Sequence, residues 1–329
     1  MKLPFDVVRA ELVRVLVKHG FDVKKANQLA TIFTQSSCDG VYSHGLNRFP
    51  NLVKAVTNGL VDIHADPILE NKIGQIEQWN GNRGPGALNA CFCMDRAIEL
   101  AKANGIGCVA IRNTNHWDRG GTYGWQAANA GTIGICFTNT GPNLPPWGGI
   151  DPRLGNNPLV IAIPRRTGHI VLDMSISQYS YGKLHEYQAK NEQLPFPGGY
   201  DSDGKLTTDA ASIINSKRSL PIGLWKGSGL SLVLDLLVTI LSQAQSTAEI
   251  TEIGISSNIS QVFICIYQPD TETTQNLIEQ TIAFMRTSRL EKDDGSIMYP
   301  GENSLKTREK NLKEGIPVDE KIWNSILEM

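Results

Sequence analysis

Apolar residues recur at helical spacing through the first part of the chain. Phe5, Val8, Leu12, Leu16 and Val17 fall along one stripe, Gly20 follows as a stop, and a second helix is expected over 24–35. Together they predict a helical hairpin. Pro50 permits another helix over 52–57 with Asn58-Gly59 as its exit, and 61–67 reads as a linker. From residue 84 to 164 the pattern alternates. Residues 87–103 and 123–130 read as helices, and 107–112, 133–138 and 159–163 as strands. Strands at 170–173 and 261–267 and helices at 229–242, 271–287 and 319–327 continue it. The fold expected is α/β. Along the chain it divides into an N-terminal helical region (1–70), an α/β body (71–300) and a C-terminal tail (301–329) that packs back on the body.

Between 175 and 221 the pattern weakens. Residues 179–189 have helical spacing, but Pro195, Pro197, Gly198, Gly199 and Asp203-Gly204 mark a turn-rich excursion near 190–221. Excursions of that length are usually functional or disordered, and here an ordered loop over a site or a neighbouring subunit is expected.

Composition narrows the picture. With 329 residues and 41% hydrophobic content the chain can bury a substantial core, and a formal charge of -2 gives no electrostatic reason to expect nucleic acid. The basic run at 306–313 is interleaved with Glu309 and Glu314 and reads as a solvated face. Six cysteines form no disulfide framework and no signal sequence is evident, so the cytoplasm is the expected compartment. Apolar runs such as 230–241 are too short to span a bilayer, and no membrane association is expected.

Chemistry concentrates in Ser43-His44-Gly45-Leu46-Asn47-Arg48. A hydride arriving at a carbonyl carbon leaves negative charge on oxygen, which a nearby imidazolium can quench with a proton. Arginine grips a carboxylate through two parallel hydrogen bonds. The pair suits reversible reduction of a keto acid. His44 and Arg48 would share a face one helical turn apart, but Gly45 and Pro50 fit a loop equally well, and a solvent-facing histidine beside a surface ion network has the same spacing.

Other segments end predicted strands. His116, within residues 115–121, could line a site or be a structural histidine bonded to backbone. Asp173-Met174-Ser175 could position a ribose or a donor, or cap a helix. Residues 226–229 suit a phosphate or a carboxamide at a helix start, though capping glycines look the same. Familiar motifs are missing: Gly81, Gly84 and Gly86 do not make a GxGxxG fingerprint. Cys91 and Cys93 diverge on a predicted helix, so packing is their expected use and no metal site is expected.

In order along the chain, Asp39-Gly40-Val41-Tyr42-Ser43-His44-Gly45, Asn113-Thr114-Asn115-His116-Trp117, Gly155-Asn156-Asn157-Pro158, Asp173-Met174-Ser175 and Trp225-Lys226-Gly227-Ser228-Gly229 resemble the malate/L-lactate dehydrogenase family. In that family the cofactor domain is not a Rossmann fold. The resemblance implies a cytoplasmic homodimer that binds NAD (NADH) in the 71–300 body and reduces a small keto acid. It implies His44 as proton donor and Arg48 at the substrate carboxylate, with His116 and Asp173 orienting substrate. It also implies cofactor contacts at His169, Ile170, Val171, Leu172, Asp173, Met174, Ser175, Trp225, Lys226, Gly301, Glu302 and Asn303. Where relatives commonly carry a histidine followed by glutamate, this chain reads Pro300-Gly301-Glu302-Asn303, which leaves backbone contact as the expectation there. Arg165 and Arg166 keep NADPH open as an alternative. The substrate stays open among a diketo sugar acid, malate, lactate, ureidoglycolate and a cyclic imino acid. A dimeric ligand-binding protein without turnover is the alternative outside enzymology.

Overall fold

The computed structural model describes residues 1–253, 258–292 and 295–329. The chain opens with β1 (Lys2–Leu3), α1 (Phe5–Lys18), α2 (Val23–Cys38), a 3-10 turn (Tyr42–His44) and α3 (Phe49–Thr57). A hairpin of β2 (Ile68–Ile73) and β3 (Ile76–Asn80) leads into α4 (Gly86–Asn104), β4 (Ile106–Thr114), α5 (Gly121–Asn129), β5 (Thr132–Thr138), β6 (Leu159–Ile163) and β7 (Ile170–Met174). Then come α6 (Tyr181–Lys190), β8 (Gly199–Tyr200), β9 (Leu206–Thr207) and α7 (Ala210–Ser216). The chain finishes with α8 (Trp225–Ser242), α9 (Thr247–Ile253), β10 (Ile259–Tyr267), α10 (Glu272–Arg286), α11 (Glu302–Glu314), β11 (Ile316–Pro317) and α12 (Glu320–Glu328).

The main sheet runs β2-β3-β4-β10-β5-β6-β7, with β3 and β4 parallel and every other pair antiparallel. Its central strands are apolar on both faces because helices cover both. Val109, Ile111, Phe263 and Cys265 join the cluster formed with α4 and α5. Ala110, Phe137 and Val262 meet Leu234 and Val238 of α8 on the other side. The N-terminal hairpin forms as its spacing predicts, and Val8, Leu12, Leu16, Leu29 and Phe33 are wholly buried in the same cluster as Ala90 and Met94 of α4. Asp22 caps α2 by accepting the Lys25 N–H at 2.9 Å.

Four segments depart from expectation. The hairpin β2-β3 follows the linker at 61–67, and because β2 is exposed along its whole length, no alternation of apolar residues announces it. The excursion near 190–221 carries α7, capped by Asp209, and a small core of Leu184, Leu194, Ala210 and Ile213. Helix α8 starts at Trp225, before the glycines rather than after them. The basic run at 306–313 lies in α11, and its Arg308 turns inward instead of facing water.

Arg308 reaches Asp39, the last residue of the α2 turn, with Nε and Nη2 donating at 2.7 and 2.8 Å. Arg119, in the loop between β4 and α5, donates from Nη1 to the same carboxylate, and Gln35 Nε2 donates at 2.7 Å. Burial alone would raise the Asp39 carboxyl, but Arg308 and Arg119 hold it below the usual carboxylate range. One buried anion thus joins the N-terminal helices, the sheet's loop edge and α11. Asp39→Asn should lower the unfolding free energy by about 3–5 kcal/mol in denaturant titration, because it leaves two guanidinium groups without their counter-charge. Since the folded pKa is depressed, that contribution is present above about pH 4 and lost as pH falls further. Unchanged stability in the variant would contradict the assignment.

Candidate active site

His44 closes the 3-10 turn that follows α2, and Arg48 is the N-cap residue of α3, whose first turn contains Pro50. The pair therefore sits on a folded loop and not on one helix. Ser37 fixes that loop: its Oγ accepts the Leu46 N–H at 2.8 Å, and Gly45 lies so close to it that a Cβ would not fit.

His116 approaches from the loop after β4. That loop is anchored by Gln261, whose Nε2 donates to the Asn115 carbonyl at 2.9 Å, and it rests on an aromatic cluster of Trp117, Tyr123 and Phe263. The His116 Nδ1 accepts the Asp118 N–H at 2.9 Å, which leaves Nε2 to carry the proton of the neutral ring. Asp118 takes a left-handed φ of 62° to make this bond, a costly conformation for a residue with a Cβ. The His44 and His116 rings stack at 6.2 Å between centroids and 16° between planes. Ser43 Oγ lies 3.0 Å from His44 Nδ1, and His44 Nε2 has no partner among the described residues.

Burial, the neighbouring His116 and the cations Arg48 and Arg119 push His44 down to about 4, with Asp118 opposing. Burial and Arg48 also lower His116. Both rings are neutral at pH 7.

Two hollows lie in this region; His116 lines one of them and His44 lines neither. One, of about 200 Å³, is lined by Arg48, Asn51, Asn115, His116 and Asp118 together with Leu29, Leu52, Leu60 and Val61. The other, of about 490 Å³, is lined by Arg119, Leu172, Asp173, Tyr299, Gly301 and Ser304, with Val41, Trp125 and Val171. His44 feels the charge of a cation from each.

The expected cofactor residues divide. Val171, Leu172, Asp173 and Gly301 line the larger cleft, and the Val171 N–H donates to the Pro300 carbonyl at 2.9 Å, joining the two segments. Gly301 has φ of 94° and packs on the Val171 amide, a conformation that favours glycine. Asp173 opens to the cleft, where its Oδ2 accepts the Gly121 N–H at 2.8 Å. A Cβ on Gly121 would stand 2.7 Å from that oxygen. The surrounding protein raises the Asp173 carboxyl, opposed by Arg119 and the Gly121 amide.

The remaining residues lie outside both linings. His169 spends both ring nitrogens inside the fold, on the Arg165 N–H and the Asn129 side chain. Ile170 and Met174 end strand β7, and Ser175 Oγ lies 3.0 Å from Ser177 Oγ. Glu302 pairs with Arg286 and Lys306, and Asn303 is exposed. Trp225, 63% exposed, and Lys226 start α8. Arg165 is bound by Glu279, and Arg166 by Asp270 and Glu272.

Among the described residues no group of three His, Cys, Asp or Glu side chains is placed to hold a metal ion. Cys91 and Cys93 are buried in α4. Arg119 is the residue that sequence reasoning passed over: it stands in the weighed segment 115–121, and its one local signal is the Gly-Gly helix start beside it.

Histidine NMR on the protein without substrate should show His44 neutral through pH 6 and titrating near 4. A His44 midpoint at or above 6.5 would contradict this geometry.

Comparisons with known proteins agree with this architecture. The chain matches the family described as malate/L-lactate dehydrogenase over residues 3–327. It is 42% identical to 2,3-diketo-L-gulonate reductase of Escherichia coli O139:H28 (strain E24377A / ETEC) over 330 residues, covering 99% of each chain. The malate dehydrogenase structure from Pyrococcus horikoshii OT3 superposes with a TM-score of 0.90 at 31% identity, covering 100% of this chain and 95% of that one. Sulfolactate dehydrogenase from Methanocaldococcus jannaschii gives 0.88 at 29% identity, covering 99% and 95%. With its N-terminal helices set against a non-Rossmann α/β body, the chain belongs to the malate/L-lactate dehydrogenase family and is an oxidoreductase of its nicotinamide-dependent kind.

Proposed function

We propose that the protein reduces 2,3-diketo-L-gulonate to 3-keto-L-gulonate with NADH, hydride adding to the C2 carbonyl and His44 giving the proton. One observation carries this reading: Arg48 and His116 line a single cavity beside the His44 ring. The 42% identity to a reductase of that name supports the choice of substrate.

Among the described residues Arg48 has no carboxylate partner, so its fork is available to the substrate's own carboxylate. Burial first, and the neighbouring cations after it, keep His44 neutral; binding that anion offsets the cationic part and favours entry of a proton as substrate arrives. His116, its Nε2 bearing hydrogen, donates to the carbonyl oxygen and orients the carbon for attack. NADH held in the larger cleft supplies the hydride. His44 then protonates the developing alkoxide, stabilising charge that exists only near the transition state. Asn51, Asn115 and Asp118 offer partners for sugar hydroxyls, while Leu52, Leu60 and Val61 exclude water.

The larger cleft suits a dinucleotide end on its own evidence, since the buried Arg119 Nε–H points to an absent acceptor. NADH is favoured over NADPH because Arg165 and Arg166, the two arginines beside the β6-β7 turn, are already held by carboxylates. A cytoplasmic homodimer completes the reading. The six cysteines are free thiols, in keeping with a reducing compartment. Helix α8 exposes an uncharged stripe of Leu232, Val233, Leu236, Leu237 and Ile240, suited to pairing with the same stripe of a second copy.

With NADH, loss of reduced-nicotinamide absorbance should be fastest on 2,3-diketo-L-gulonate, ahead of pyruvate, oxaloacetate and a cyclic imine. Faster turnover of any other substrate would overturn the assignment. His44→Asn should lower kcat by roughly 10²–10⁴-fold with NADH affinity nearly unchanged, and equal activity would remove His44 as donor. Light scattering should give twice the chain mass, falling to one chain in Leu236→Glu/Ile240→Glu; a monomeric parent would contradict the pairing.

A further inference from the structure

Arg119 is 5% exposed, and its donors are unevenly used. Nη1 is taken by Asp39, yet Nε–H has no acceptor, and Nη2 finds none among the described residues. Nε and Nη2 make up the side-on edge of a guanidinium. That is the edge with which Arg308 clasps Asp39 and Arg165 clasps Glu279. A buried donor without a partner is costly, and a paired edge left without one marks the place of a ligand.

The complementary half stands in the same cleft. Asp173 Oδ2 is taken by the Gly121 amide, whereas Oδ1 accepts from nothing among the described residues. Arg119 and Asp173 line the larger cleft together without bonding to each other. A group between them must offer an acceptor to the arginine edge and a donor to the carboxylate. A phosphate or carboxylate would satisfy Arg119 but set its charge against Asp173. A hydroxyl pair would satisfy Asp173 but engage the planar fork poorly. A primary carboxamide satisfies both.

We propose that Arg119 and Asp173 read the carboxamide of the nicotinamide, the arginine edge donating to the amide oxygen and Asp173 Oδ1 accepting an amide N–H. This rests on the nicotinamide reading above and adds which side chains orient the reactive ring. Location supports it. Hydride must be delivered close to the proton donor, and this end of the cleft is the one whose cation acts on His44 and whose wall includes Val41, three residues before it. Asp39 holds the guanidinium from behind, so the fork is already oriented when the ring arrives.

Fluorescence titration of the unmodified protein with NADH and with its reduced 3-acetylpyridine analogue, which carries a methyl in place of the amide nitrogen, tests this without turnover. NADH should bind roughly tenfold more tightly. In Asp173→Asn, which keeps an acceptor for Gly121, the gap should close, with NADH weakened to the level of the analogue. Arg119→Lys should weaken both dinucleotides alike, since both keep the oxygen. Equal affinities in the unmodified protein would overturn the proposal. So would an Arg119→Lys variant with a lowered melting temperature but unaltered binding, because Arg119 would then serve only as a brace for Asp39. Binding of neither dinucleotide would overturn the nicotinamide reading along with it.

Discussion

A single buried carboxylate organises this molecule. Asp39 ends the helix from which the His44 loop departs, and it is clasped by an arginine from the sheet's loop edge and another from α11. Helix α11 has no large apolar face to fix its position: within it only Asn311 is buried. Charge-assisted hydrogen bonds therefore do what packing does elsewhere, and direction comes with them. Arg308 also lies over the Trp125 ring at 4.7 Å, and Asn311 donates to the Cys38 carbonyl at 2.9 Å, so α11 is held along its length.

The same clasp sets the electrostatics of the site. It holds Arg119 in the lining of the larger cleft while Arg48 lines the smaller one, and both cations act on His44. Burial and these cations together disfavour a proton on His44 in the empty site. In the proposed reaction a bound substrate carboxylate would offset the cationic part of that effect, which would tie protonation of His44 to the right class of substrate. The proposed carboxamide contact extends the principle, because the arginine that burdens His44 also orients the ring that reacts beside it.

Much of the fold was legible because its helices are one-sided. Val8, Leu12 and Leu16 announce α1, and strands β5 and β6 carry short apolar runs at their observed places. Hairpin β2-β3 was not, since β2 buries nothing and is held by backbone pairing and by polar pairs such as Glu70 with Arg112 and Lys72 with Glu77. Helix α11 was hidden for a related reason: its inward residues are Leu305, Arg308 and Asn311, and one leucine makes no apolar stripe. At the site, the grouping of His44, Arg48 and His116 was expected from residue type and from the family resemblance, although the loop that carries the first two could not be told from a helix by spacing. Arg119 was not readable, because what gives it meaning is Asp39, 80 residues away, and no local pattern records that contact.

Proton uptake on binding oxamate, a keto-acid analogue that cannot be reduced, in the presence of NADH is the most direct test of the central claim. Calorimetry at pH 7 in two buffers of different ionisation enthalpy measures it. Close to one proton should be taken up by the unmodified protein and none by His44→Asn. Binding with no uptake in the unmodified protein would mean that His44 does not wait for an anion to acquire its proton.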